Sequence, residues 1–371
     1  MGFSLFSDPF ETSKHFMTAK NNIDIVYLWV DGNDPEWRAK RHRAARTLSA
    51  RSLTDMALYS NVEGRFRDND ELRYSLRALE KYFPDHGHVY IVTDDQTPRW
   101  LQPHSGLTII DHRVLIPPEH SPTFDSGNIE SYVHRIPGLS ERFFYFNDDV
   151  FFGAPVDVND WFWSGGVYTA WSDDAAVSDG PLQPDATSLE NGCRLSAQWL
   201  AEHTTAAGRV AHYAHTPRTF AHAPRPLLKS LLADLEVKAP SLFAGVRNTQ
   251  FRAWDKPTIV SDFVLRWALA HGVARLKDYP HRYVSNGDAH TALALQGLEV
   301  DLGELGFFCI NDTTDDAHRH DPRLTQVRLA LERMFGTPSK FEQKVPTLRS
   351  GWRARELHGL GTFAATAVTV D

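Results

Sequence analysis

Two adjacent carboxylates interrupt an aromatic run. In "RFFYFNDDVFFG" (142–153), Asp148 and Asp149 follow Phe143, Phe144, Tyr145 and Phe146, and precede Val150, Phe151 and Phe152. Neighbouring carboxylates at a strand end can hold Mg²⁺ or Mn²⁺ against a diphosphate. One of them can instead act as a general base on a hydroxyl. The bland alternative is a turn, because Asn147-Asp148-Asp149 is also good turn chemistry.

Four other stretches carry comparable residues. "WVDGNDP" (29–35) sets Trp29, Val30, Asp31 and Gly32 at a strand-to-turn junction, where backbone N–H groups can approach a phosphate or a base. Its spacing matches no P-loop and no dinucleotide-binding glycine pattern. "AHTPRTFAHAPRPLLKSLLADLE" (214–236) holds His215, Arg218, His222 and Arg225. Pro224 predicts a helix start there, so that His222 and Arg225 would face an anion from a helix N-terminus. Arg252, between Phe251 and Trp254, is a candidate phosphate fork, with a cation–π surface contact as its alternative. "FFCINDTTDDAHRH" (307–320) repeats the strand-then-Asn-Asp design with Asn311 and Asp312.

The elements that must position these residues alternate. Apolar runs at 23–30, 88–92, 107–110 and 142–146 predict strands, each stopped by a polar turn. Between them the spacing predicts a basic, exposed helix from Pro35, an amphipathic helix over 68–83 with an Asp/Asn cap, and a short helix over 126–136. The segment 154–210 reads as loops and short antiparallel strands. Helical patterns return at 224–236, 258–272 and 322–336. The expected fold is therefore α/β, with a mostly parallel Rossmann-like sheet covered by helices and a helical C-terminal portion. In such sheets ligands bind beyond the carboxyl ends of the strands, and Asp31, Asp94, Asp111 and Asp148 all fall there.

The 371 residues, 42% of them hydrophobic, suffice for a sizeable core. A formal net charge of −8 argues against general affinity for nucleic acid. Two cysteines exclude a disulfide-rich scaffold and a cysteine-based zinc site, and suit a reducing cytosol. No apolar run reaches the ~20 residues of a membrane span, and the N-terminus lacks a signal-peptide pattern.

Together and in order, "IDIVYLWVDGNDPEW", "RDNDELRYSLRALEKYFPDHGHVYIVTDDQTPRWL" and "SPTFDSGNIESYVHRIPGLSERFFYFNDDVFFG" resemble the first conserved regions of the Stealth family. "AHAPRPLLKSLLADLE", "FFCINDTTDD" and "LERMFGTPSKFE" resemble its later ones. That family groups bacterial capsular and exopolysaccharide hexose-1-phosphate transferases with the catalytic part of animal N-acetylglucosamine-1-phosphotransferase. The resemblance implies a glycosyltransferase-A-related catalytic domain over 23–345, with a soft internal boundary near 210, an extension over 1–22 and a tail over 346–371.

The implied reaction passes a sugar-1-phosphate from a nucleotide sugar, UDP-N-acetylhexosamine or UDP-hexose, to a glycan hydroxyl. It forms a phosphodiester and releases UMP. The resemblance implies catalytic roles for Asp148, Asp149, His222 and Arg252, with Mg²⁺ or Mn²⁺ on Asp148 and Asp149. It implies substrate binding by Trp29, Val30, Asp31, Gly32, Asn147, Arg225, Asn311 and Asp312. The expected location is the cytoplasm, with peripheral association at the inner membrane face as the alternative. Two alternatives stay open: a conventional glycosyltransferase releasing UDP, and a non-catalytic glycan-binding protein with structural Ca²⁺.

Overall fold

The computed structural model describes residues 22–49, 54–204, 214–318 and 320–343. The extension expected over 1–22 (Asn22 apart), the tail over 346–371 and the boundary near 210 lie outside the described residues.

Apolar runs that alternate with helices build the main sheet. Its strands are β1 (Asp24–Leu28), β2 (Val89–Thr93), β3 (Leu107–Asp111), β4 (Arg142–Asn147) and β8 (Arg225–Leu228). They run in the order β3-β2-β1-β4-β8. The first three pairings are parallel, and β8 closes the edge antiparallel to β4. β1 is buried along its whole length, as a continuous apolar strand in a covered parallel sheet should be. The buried carboxylate of Asp24 is satisfied by the backbone N–H groups of His88 and Ser140, each at 2.8 Å.

A second sheet joins β10 (His281–Asn286), β11 (Phe307–Asp312) and β5 (Val150–Phe152). A third, smaller one joins β6 (Phe162–Trp163), β7 (Gly166–Thr169) and β9 (Ala274–Leu276). β4 and β5 are consecutive in sequence but belong to different sheets. Asp148 and Asp149 are the corner between them, and the Asp149 carbonyl accepts from the Ile310 N–H at 3.0 Å. The aromatic residues on either side of the pair fill the core common to the two sheets.

Helix α1 (Pro35–Thr47) starts where "DGNDP" predicts, with Asp34 capping the Trp37 N–H at 2.8 Å. It is not fully exposed, because Trp37, Arg41 and Ala44 are buried. Trp37 and Ala44 pack with Phe66, Phe124 and Phe251. Helix α2 (Glu71–Tyr82) matches the amphipathic pattern.

Several expectations fail. The helix expected over 126–136 is a short turn of helix, Ser126–Glu130, followed by a 3₁₀ turn, Val133–Arg135. The 154–210 segment contains α3 (Ser188–Thr204), 17 residues long, which its loop-like composition hid. The 224–236 helix begins only at Lys229, as α4 (Lys229–Lys238). Residues 225–228 are strand β8 instead, and Pro226 is tolerated because β8 is an edge strand. The C-terminal portion is therefore not purely helical, since it supplies β8 to β11.

Candidate active site

Trp29, Val30, Asn147, Asp148, Asp149, His222, Arg252, Asn311 and Asp312 converge on one cleft of about 280 Å³. It opens beyond the carboxyl ends of β1 and β4, where a parallel sheet leaves room for a ligand.

The carboxylates gather at the β4–β5 corner. Asp149 Oδ2 accepts from Asn311 Nδ2 at 3.1 Å and from Cys309 Sγ at 3.4 Å. Its Oδ1 is buried without a hydrogen-bond partner. Burial, then the charges of Asp149, Glu71 and Asp68, push the Asp148 carboxyl well above the usual carboxylate range. The same causes raise Glu71 to about 8 and Asp68 to about 7: burial first, then the carboxylates around them.

The cations gather around Ser126. Its Oγ accepts from Arg65 at 3.0 Å and from Arg252 at 2.5 Å. Arg252 also donates to Ser188 Oγ at 3.3 Å and lies 3.5 Å from Asp125. Burial, then the neighbouring Arg252 charge, pull Arg65 down to about 9, against the opposing carboxylates of Asp125 and Glu130. Two guanidiniums on one neutral hydroxyl are a ready anion site.

His222 feels both groups. Burial lowers its pKa and Asp149 opposes that, while Arg225, Arg252 and Arg65 lower it further. The ring is therefore held neutral at physiological pH. Its Nε2 lies 2.8 Å from Asn147 Nδ2. Asn147 Oδ1 lies 2.9 Å from the Tyr145 hydroxyl, which also sits 2.9 Å from Glu130 Oε1. That network makes the Asn147 amide the donor to Nε2 and leaves the His222 proton on Nδ1.

Other expected site residues lie elsewhere. Asp31 caps its own turn, accepting from the Asn33 N–H at 2.8 Å, and its side chain does not line the cleft. Gly32 is packed under Phe66, where an added Cβ would lie 2.0 Å from the Phe66 carbonyl oxygen. Asp94 pairs with Lys40 and Asp111 with Arg113. Arg225 is buried in β8 behind the cleft wall, and the helix N-terminus expected to present it and His222 does not exist. Asp312 reaches the cleft, but its carboxylate is taken by Arg67 and by Thr314, whose N–H and Oγ1 donate at 2.9 and 2.7 Å. It fixes the Gly64–Arg67 turn and so positions Arg65. His215 is remote, beside Cys193.

Sequence reasoning misses Arg65, Glu71, Ser126, Ser188 and Tyr283, all of which line the cleft. The signal for Glu71 was available. Acids ahead of α2 read as helix caps, yet Asp70 adopts a left-handed conformation, φ 70°, and makes no side-chain cap bond. Glu71 turns back instead to accept from the Asn69 N–H at 2.5 Å.

Comparison with known proteins places this geometry. Residues 21–49 match the family model for Stealth protein conserved region 1, and residues 65–169 match conserved region 2. In these two regions the chain resembles Stealth proteins. Stealth region 1 contributes Trp29 and Val30 to the cleft, and Stealth region 2 contributes Arg65, Glu71, Ser126 and the Asn147-Asp148-Asp149 corner. His222, Arg252 and Asn311 fall beyond both. An exopolysaccharide phosphotransferase of Streptomyces coelicolor is 34% identical over 87% of this chain and 52% of its own length. The exopolysaccharide phosphotransferase CpsY of Mycobacterium tuberculosis is 31% identical over 87% of this chain and 58% of its own. That of Nocardia farcinica is 31% identical over 87% and 61%. The chain thus spans little more than half the length of these relatives.

Proposed function

We propose that this chain is a sugar-1-phosphate transferase. It would take a sugar-1-phosphate from a nucleotide sugar, a UDP-linked N-acetylhexosamine or hexose, and place it on a hydroxyl of a glycan in capsule or exopolysaccharide synthesis. The relatives named exopolysaccharide phosphotransferases support this reading. The observation that carries it is the division of one cleft into a carboxylate group (Asp148, Asp149, Glu71) and a guanidinium pair (Arg65, Arg252). A diphosphate with a divalent counter-ion satisfies both at once.

Asp148 and Asp149 would hold Mg²⁺ or Mn²⁺. The fit rests on the orphaned Asp149 Oδ1 and on like charges crowded around Asp148. When bound, such a cation neutralises diphosphate charge. The protein's own groups do the rest. Arg65 and Arg252 grip the phosphate oxygens and stabilise charge in the transition state. The acceptor oxygen bonds to the sugar-linked phosphorus as the bond to the departing UMP breaks, and the anomeric bond stays intact. The acceptor proton passes to Asp149, or to His222 Nε2 once that atom gives up the hydrogen bond from the Asn147 amide. At the rim, Leu58, Tyr59 and Tyr283 are 43%, 48% and 54% exposed. Tyr59 holds a left-handed backbone, φ 60°. Exposed aromatic faces at a cleft mouth suit a glycan acceptor.

The test is incubation with a panel of UDP- and GDP-sugars and an oligosaccharide acceptor, reading the released nucleotide. Acceptor-dependent UMP or GMP is expected. UDP or GDP release would mean a conventional glycosyltransferase. Glycan binding without nucleotide-sugar binding would leave only a lectin-like role.

A further inference from the structure

Cys309 has no part in that mechanism, yet it sits against the reacting groups. It lies on β11, paired with Val150 in the register that also brings Asn311 to Asp149. Its sulfur is fully buried, 3.4 Å from Asp149 Oδ2. A ligand atom of Asp149, one of His222 and the Cys309 sulfur lie within 4.8 Å of one another. On the same carboxylate, Asp149 Oδ1 is buried with no partner.

We propose that Asp149, His222 and Cys309 form a metal position for a soft or borderline divalent cation such as Zn²⁺, which shares Asp149 with the hard-cation position on Asp148 and Asp149. Two cysteines are too few for a cysteine-based zinc site, but a mixed carboxylate–imidazole–thiolate set needs only one. Three protein ligands with a fourth position left for water is the pattern of an open zinc site. The sulfur sets the selectivity. Thiolate and imidazole favour Zn²⁺ and Co²⁺, whereas Mg²⁺ demands oxygen ligands in octahedral array. Binding displaces the thiol proton to solvent and forms the metal–sulfur bond in its place. Asp149 and His222 line the cleft, so the ion can enter from it. Once there it takes Asp149 and the His222 lone pair that otherwise accepts from the Asn147 amide, so it blocks both candidate bases and would hold the enzyme inactive while Mg²⁺ remains in excess.

Cobalt supplies a readout independent of turnover. The full chain, stripped with chelator, is titrated with Co²⁺ and followed by absorption. A thiolate-to-cobalt charge-transfer band in the near ultraviolet is expected, at one equivalent, and Zn²⁺ should abolish it. The band should survive in Cys193→Ala and vanish in Cys309→Ser and Cys309→Ala, with circular dichroism confirming that each variant is folded. Loss of the band in Cys193→Ala, or a weak octahedral spectrum with no sulfur band in the folded wild type, would overturn the proposal. In the turnover assay, Zn²⁺ added against excess Mg²⁺ should inhibit the wild type at concentrations at least tenfold lower than a folded, active Cys309→Ser. Equal sensitivity would place inhibitory zinc elsewhere.

Discussion

Asp148 and Asp149 differ in their surroundings, and their substitutions should differ accordingly. Asp149 is bonded by Asn311 and Cys309, whereas Asp148 is crowded by acids. Asp148→Asn replaces a carboxyl whose charge burial and its acidic neighbours already disfavour, so it should leave the fold intact while turnover falls by about 10²-fold or more. Asp149→Asn should cost at least as much turnover. Denaturation midpoints and turnover measured together check both, and near-normal turnover in either folded variant would remove that residue from the machinery. His222→Ala should lower kcat by about 10²–10⁴-fold with little change in donor KM, as loss of a proton-transfer group does. A rise in KM alone would make His222 a binding residue and leave the base role to Asp149. Arg65→Lys and Arg252→Lys keep charge but lose the planar fork, so both should raise donor KM and lower kcat. If Arg65→Lys behaves as wild type while Arg252→Lys does not, the shared Ser126 hydroxyl is a structural tie and only Arg252 grips phosphate.

The segment that carries His222 is pinned by another element. Arg266, on α5 (Val264–Ala270), is fully buried. Its Nε donates to both Asp262 oxygens at 2.8 and 2.9 Å, its Nη1 donates to the Thr216 carbonyl at 2.8 Å, and its Nη2 donates to the Arg218 carbonyl. Asp262 also accepts from Ser196 of α3 at 2.6 Å. Arg266→Met leaves that carboxylate buried and uncompensated, which typically costs about 3–5 kcal/mol. The double variant with Asp262→Asn should recover part of the loss, and urea midpoints of the two singles and the double measure the coupling. Additive losses would show that the pair is not one unit. The pin also marks the limit of what sequence discloses. Strands β1, β2 and β4 were legible because burial on both faces demands unbroken apolar runs, and β3, at the sheet edge and only partly buried, kept enough of one to be read. The Asn147-Asp148-Asp149 corner was legible because charge breaks such a run. β8 was not, since Pro224 reads as a helix start and Pro226 argues against a strand unless the strand lies at an edge. Arg65 gave no signal, because its place depends on the Arg67–Asp312 pair, 245 residues apart. Asp31 and Gly32 lay at a strand end, as ligand-binding residues do, but that position also serves ordinary turns.

Among the described residues, two groups of wholly or partly buried acids have opposite pH behaviour. Glu342, although buried, is pulled down to about 2 by the hydrogen bonds and charge of Arg77 and by the Ser339 N–H and Arg73. Glu236 is pulled to about 2 by Arg247 and His134. Depressed carboxyls stabilise the fold above their unfolded values, so these contributions disappear as pH falls below about 4.5. Glu71 and Asp68 are the reverse, raised from 4.5 to about 8 and from 3.8 to about 7. The native state holds their protons more tightly than the unfolded chain does. Between those limits the unfolded state binds fewer protons, and stability falls as pH rises. Burial lowers His86 and His112 to about 4, which adds the opposite slope below about pH 6.5, so the chelated protein should lose stability between pH 6.5 and pH 8, by on the order of a few kcal/mol. A divalent cation beside Asp148 reverses the sign, because it favours the ionised acids and binds more tightly as they deprotonate. Thermal unfolding in EDTA should show Tm falling from pH 6.5 to pH 8. Adding Mg²⁺ or Mn²⁺ should raise Tm strongly at pH 8 and less at pH 6.5. A chelated Tm that rises through this window, or a metal effect equal at both ends, would mean that the acids around Asp148 are not held protonated for want of a cation.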